Sequence, residues 1–275
     1  MGGATHAAGD LEHTTAALRR AGCVAAREEA VELMAAAKGD QDALRRLVAR
    51  RSAGEPLAWL VGSAHFCGLR VPVCPGVYVP RPQSEALALE AIARLPLRGL
   101  AVDLCTGSGA VALAVGHARP EARVLATEID PAAAACARGN GVDVYVGDLT
   151  APLPDELRGQ VDVVTAVVPY VPTGELRLLP RDVVAYEPRR ALDGGADGAV
   201  LLRRAVVESA RLLRPGGSLL LELGDREADL LEPLLAENGY RDVLRLYDEE
   251  DDLRGLSCRR RTGVRARRAG RTAPA

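Results

Sequence analysis

Strand and helix signals alternate from Leu100 to the last hydrophobic run near Tyr247. The strands are apolar throughout rather than alternating, and a glycine turn follows the first of them. These observations predict an α/β protein with a Rossmann-like parallel sheet, right-handed crossovers and both faces covered. A small N-terminal helical domain is expected ahead of it, and 275 residues suffice for both units.

From about Leu11 to Gly62 apolar positions recur at helical spacing. "AAREEAVELMAAAKG" runs to a glycine. Asp40 stands where it would cap "QDALRRLVARR", in which Leu44, Leu47 and Val48 share a face. Residues 1–65 thus read as the helical domain. "HFCGLRVPVCPGVYVPRP" reads as a short hairpin closed by two prolines, a hinge over residues 66–82. Residues 83–261 then form the second domain. Helix "QSEALALEAIARL" leads into strand "LAVDLC", helix Ala110 to Ala118, strand "ARVLATE", helix Pro131 to Arg138, and strands "VDVYVGD" and "VDVVTAVV". After a long loop come helix Gly198 to Leu213, an "RPGG" stop, strand "SLLLELG", helix Glu227 to Glu237 and strand "YRDVLRLYD".

The formal net charge of -2 gives no overall field toward nucleic acid or an anionic membrane, so such a partner would need a local patch. The cysteines Cys23, Cys67, Cys74, Cys105, Cys136 and Cys258 never fall at the paired short spacing of a zinc or redox motif. They read as reduced, buried thiols, and no metal is expected. The opening "MGGATHAAGDLEHTT" lacks the basic start and apolar run of a secretory signal, and no stretch reaches membrane-span length. A cytoplasmic protein without stable membrane contact is expected. After Cys258, "RRRTGVRARRAGRTAPA" carries seven arginines and no acid. Residues 262–275 read as a basic disordered tail, either a solvated terminus or a phosphate-tracking arm for RNA.

"AVDLCTGSGAVALA" puts Asp103 at the end of the first sheet strand and Gly107 and Gly109 in the turn into a helix, where the backbone can approach a ligand closely. The turn is shorter than G-x-G-x-x-G and has an acid in the strand before it, which suits a cofactor with no pyrophosphate. Glu128 ends the next strand about twenty residues on, placed to accept from two ribose hydroxyls. Asp148 ends the third, placed to accept from an adenine amine. Taken singly, each acid also fits an ordinary strand-end turn. Three at successive strand ends, in register with a glycine turn, point to S-adenosyl-L-methionine.

These residues resemble the HemK/PrmC-type protein-(glutamine-N(5)) methyltransferases, which act on peptide chain release factors. The resemblance runs from about Leu18 to Tyr247 through "RRSAGEPLAWLVG", "FCGLRVPVCPGVYVPRPQSE", "DLCTGSGAVALA", "VVPYVP", "YEPRRALDGGADG" and "LRPGGSLLLELG". It implies a Rossmann-like S-adenosylmethionine-dependent methyltransferase domain behind a helical domain that holds the protein substrate, a release factor. It also places the cofactor turn on Cys105, Thr106, Gly107, Ser108 and Gly109, the ribose acid on Glu128 and the adenine side on Asp148 and Leu149. The family's "PRP-x-T-E" segment falls on Pro80 to Glu85, with Arg81 and Ser84 near the cofactor and serine keeping the hydroxyl of threonine.

The chain departs from the family at N-P-P-Y, which aligns with Val167, Val168, Pro169 and Tyr170. In the family the Asn side chain and the next backbone carbonyl accept from the glutamine NH2, while the aromatic ring packs on it. Val167 cannot accept. An amide nitrogen is a weak nucleophile, so losing one acceptor leaves a donor unpaired at a cost of about 1–3 kcal/mol, roughly a hundredfold in rate. The fourth strand is equally compatible with running on through both valines. Three readings follow: glutamine methylation, methylation of another acceptor such as a small molecule or other protein, and a catalytically weakened cofactor-binding protein. Methylation of a flipped adenine is disfavoured by the lack of a target-recognition domain, by the absence of a basic face apart from the tail, and by the small number of aromatic residues.

Overall fold

The computed structural model describes residues 2–248 and 250–262. The basic stretch 263–275, the expected RNA-contacting arm, lies outside the described residues. Four helices form the N-terminal part: α1 (Gly2–Arg20), α2 (Ala26–Ala37), α3 (Gln41–Ser52) and α4 (Leu57–Val61). The first starts well before Leu11. The Asp40 side chain caps α3, accepting from the N–H groups of Asp42 (2.8 Å) and Ala43 (3.0 Å). Leu18, Ala30, Leu33 and Leu44 bury one side of each of the first three helices against the others.

Strands β1 (Ser63–Phe66) and β2 (Leu69–Pro72) pair antiparallel, joined by Cys67 (φ 47) and Gly68 (φ 72). Two left-handed residues make the turn whose twist suits a hairpin. The hairpin therefore begins three residues before 66 and ends at Pro72, and residues 73–81 are irregular. The Trp59 indole N–H donates to the Val77 carbonyl (3.0 Å), tying α4 to this irregular segment.

Beyond a 3-10 turn at Pro82–Ser84 come α5 (Glu85–Arg94), β3 (Leu100–Leu104), α6 (Ala110–Ala118), β4 (Arg123–Glu128), α7 (Pro131–Gly139), β5 (Asp143–Val146) and β6 (Val161–Ala166). Next are α8 (Arg181–Tyr186), α9 (Val200–Leu212), β7 (Leu213–Glu222), α10 (Asp225–Glu237), β8 (Tyr240–Tyr247) and β9 (Leu253–Arg260). The sheet order is β5-β4-β3-β6-β7-β9-β8. The first five strands are mutually parallel, while β9 runs antiparallel to both β7 and β8. One face packs on α5 and α6 through Ala101, Val163 and Leu220. The other packs on α9 and α10 through Val102, Val164 and Leu221.

The structure corrects four expectations. The fourth sheet strand ends at Ala166, so Val167 and Val168 lie beyond it. "RPGG" does not separate α9 from β7; it lies inside β7 as an irregularity, the register shifting between Val161 opposite Leu213 and Val163 opposite Ser218. The sheet is parallel only in part, because the acid-rich turn after β8 reverses into β9, which takes up the first arginines after Cys258. The cysteines are all free, but only Cys136 and Cys258 are buried, and Cys74 is exposed. No described helix is long and apolar enough to cross a membrane.

Candidate active site

A cavity of about 790 Å³ opens at the carboxyl ends of β3, β4, β6 and β7. The chain leaves β3 for β4 on one side and returns as β6 on the other. Such a switch point is where an open parallel sheet offers a crevice to ligands.

One half is built on the turn after β3. Cys105 (φ 56), Gly107 (φ 58) and Gly109 (φ 85) are all left-handed. Gly109 also has no room, since a Cβ there would meet Val142 Cγ2 at 2.8 Å. Gly107 borders the cavity, and a Cβ on it would meet no protein atom within 4 Å. Cys105 adopts this backbone with a side chain attached, at a cost on the order of 1 kcal/mol. Burial pushes its thiol far up, and the Glu128 and Asp103 charges push it further, so it stays protonated. Thr106 and Ser108 are buried in the same turn.

Asp103 is 3% exposed, and its oxygens accept from the hydroxyls of Thr106 (2.6 Å) and Thr165 (2.7 Å). It thus braces the turn against β6 as well as lining the cavity. Burial raises its carboxyl to about 6, outweighing the lowering by both hydroxyls. Between the ordinary aspartate value near 4 and about 6, the folded chain holds a proton that the unfolded chain has released. This contribution to stability is full below pH 4 and is lost as pH rises through 6. Asp103→Asn should remove it. The stability difference between pH 4 and pH 7, measured by urea unfolding, should change by on the order of 2 kcal/mol relative to the parent.

Glu128 is buried at the end of β4 and accepts from the N–H groups of Gly107 (2.9 Å) and Asp130 (2.9 Å). A carboxylate can accept about four hydrogen bonds, leaving about two positions for a ligand's hydroxyls. Asp148 lies beyond β5 and is paired with Arg204 of α9 (3.0 Å), a partner not foreseen from the sequence. Leu149 beside it is buried, with φ 45.

The other half is the segment after β6. Val167 is half-buried, lines the cavity and packs on the cluster that contains Phe66 and Leu220. Val168 turns into the core on the opposite face, 2% exposed. Pro169 and Tyr170 line the cavity with them. The Tyr170 hydroxyl donates to Glu222 Oε1 (3.1 Å), and Ser84 donates to the other oxygen of the same carboxylate. Arg81 pairs with the buried Glu187, and its guanidinium lies 5.0 Å from the centre of the Tyr78 ring. Arg81 and Ser84 therefore reach two buried acids, Glu187 and Glu222, that the sequence does not single out. Burial raises both carboxyls, and Arg81 pulls that of Glu187 back. The signal for Glu222 was present: an acid ending an apolar strand, as at Glu128.

The "LDGGADG" segment fixes Tyr170. Val171 bridges Asp193 in parallel, and Gly194 N–H donates to the Val171 carbonyl (2.8 Å). A Cβ at Gly194 would lie 2.7 Å from Tyr170 Cα. Gly194→Ala should therefore displace Tyr170, lowering stability by about 1–3 kcal/mol in a urea titration. On its far side the same loop is anchored to the helical domain: Tyr186 of α8 meets Trp59 edge to face, ring centres 6.3 Å apart.

No protein-family model matches the chain. A methyltransferase from Pyrococcus furiosus has the same fold at 22% identity and a TM-score of 0.54, covering 78% of this chain and 99% of that one. A 4-amino-L-phenylalanine/4-methylamino-L-phenylalanine methyltransferase from Streptomyces pristinaespiralis is 40% identical over 70% of this chain and 69% of that relative. A release factor glutamine methyltransferase from Mycolicibacterium smegmatis is 40% identical over 260 residues, 86% of this chain and 92% of that relative. Near-full-length likeness of this kind shows that the chain belongs to the release factor glutamine methyltransferase family.

Proposed function

We propose that the protein transfers the methyl group of S-adenosyl-L-methionine to the side-chain amide nitrogen of a glutamine in a peptide chain release factor. What supports this reading is one cavity that joins the Gly107 turn and Glu128 to Val168, Pro169 and Tyr170. The fit to the cofactor rests on Gly107, which leaves room at the turn, and on the acceptor positions still free on Glu128. In this reading Glu128 takes the ribose hydroxyls, the turn from Cys105 to Gly109 receives the body of the cofactor, and Asp148 and Leu149 flank the adenine. Asp103 holds the turn in shape. When bound, the cofactor supplies an electrophilic methyl group. The Val168 carbonyl accepts one N–H of the incoming amide, and Tyr170 walls the acceptor site. Residues 1–65 hold the protein substrate, residues 66–82 act as the hinge, and residues 83–261 carry the chemistry. Trp59 and Tyr186 tie the helical domain to the acceptor loop.

Incubation with a release factor and labelled cofactor tests this. Label on the glutamine of its Gly-Gly-Gln loop is the expected result. No label there, with a relative active in parallel, would sink the proposal. A second reading is favoured by Val167, an apolar residue on the cavity wall where the family has asparagine. In it the acceptor is the amine of a small molecule, as the name of the Streptomyces relative describes for that enzyme. Label entering 4-amino-L-phenylalanine but not the release factor would decide for it.

A further inference from the structure

Glu222 is 3% exposed and yet borders the cavity. The parallel register sets Thr165 opposite Leu220 and Ala166 opposite Leu221. The next residues on the two segments are Val167 and Glu222. Residues two apart share a face of a strand. Val167 and Glu222 thus follow the last paired residues on the face of Thr165 and Leu220, and both border the cavity. Val167 accordingly packs in the same cluster as Leu220. The carboxylate beside it receives two hydroxyls, from Ser84 and Tyr170. The cations that act on it, Arg254 and Arg81, are engaged elsewhere, with Asp248 and with Glu187. Among the described residues it is in no ion pair, and about two of its acceptor positions are unused.

We propose that Glu222 is the hydrogen-bond acceptor for the incoming nitrogen, supplying from β7 the side-chain half of the clamp that Val167 cannot supply from β6. This rests on the methyl-transfer reading above and narrows its acceptor class to an uncharged NH2 group, amide or primary amine. Such a nitrogen gains positive charge as it is methylated, and a carboxylate holds that charge with a bond about twice as strong as a neutral acceptor makes. The same charge repels carboxylate acceptors. Tyr170 and Ser84 fix the carboxylate's orientation, so the group is set before any ligand enters.

Calorimetry with two cofactor analogues tests this without any acceptor. Sinefungin carries an ammonium group where the cofactor carries its methyl group; S-adenosylhomocysteine carries neither. The parent should bind sinefungin at least about tenfold tighter than S-adenosylhomocysteine. Glu222→Gln, which keeps the shape and a partner for both hydroxyls, should shrink that ratio to within about threefold with S-adenosylhomocysteine affinity little changed. Tyr170→Phe keeps the carboxylate but removes one of the two hydroxyls that orient it, so the ratio should shrink by less than in Glu222→Gln. A preference that survives in Glu222→Gln, or is absent in the parent, would overturn the proposal. The parent ratio needs no variant, so the proposal can fail on it alone. Failure of the parent to bind either nucleoside would instead refute the cofactor reading, and this proposal with it.

Discussion

In a Glu222→Gln background, Val167→Asn should raise transfer to a release factor glutamine by roughly a hundredfold, the factor that a side-chain acceptor on the amide contributes. In the parent, where Glu222 already accepts, the gain should stay under about tenfold. The position allows it. Val167 is half-buried and borders open cavity, so the longer side chain has room. Cofactor affinity should change by less than about twofold, because Glu128 ends β4, two strands away from β6 in the sheet. Stability should fall by about 1 kcal/mol, the cost of a polar group that is unpaired until the substrate arrives. The ratio kcat/KM, measured with saturating labelled cofactor, is the readout. A loss, or no gain in the Glu222→Gln background, would mean that Val167 suits the actual acceptor and would favour the small-amine reading. The double variant Val167→Asn with Glu222→Gln then shows whether the two acceptors substitute for one another, since neighbours on paired strands should not be additive.

What was legible in the sequence was local. Asp40 caps α3 because the cap needs only the N–H groups two and three positions on, at Asp42 and Ala43. The β3 turn was readable because Gly107 and Gly109 satisfy a backbone demand, and Glu128 because strand ends at a switch point face a ligand. The rest depended on partners distant in sequence. Glu222 acquires its role from Ser84 and Tyr170, 138 and 52 residues away, and Glu187 from Arg81, 106 residues away. No periodicity carries that information. β6 stops at Ala166 although two more β-branched residues follow, because propensity does not say where pairing ends: the ladders to β3 and β7 both finish opposite Ala166, at Leu104 and Leu221. β9 was hidden because its arginines mark it as surface, yet Leu256 and Cys258 are buried between β7 and β8.

Glu128→Ala should weaken cofactor binding by at least about a hundredfold, and the reasons are separable. The carboxylate holds two backbone N–H groups, on Gly107 and Asp130, and so fixes the glycine turn against the start of α7. Removing it leaves both donors unpaired in a buried corner, at about 1–3 kcal/mol each unless water enters. This part appears as lost stability in the absence of any ligand. The second part is the pair of ribose hydroxyls, whose bonds to a charged acceptor are worth about 1.5–3 kcal/mol each. It appears only in calorimetry with S-adenosylhomocysteine. Glu128→Gln separates the two, because its single carbonyl oxygen can serve one N–H while its NH2 opposes the other. Stability should then fall by about 1–2 kcal/mol and affinity by roughly tenfold. If Glu128→Ala lost stability but bound the nucleoside as tightly as the parent, Glu128 would be a brace for the turn and the ribose would be held elsewhere. An affinity loss that follows the stability loss across both variants would mean that the turn, rather than the carboxylate, recognises the cofactor.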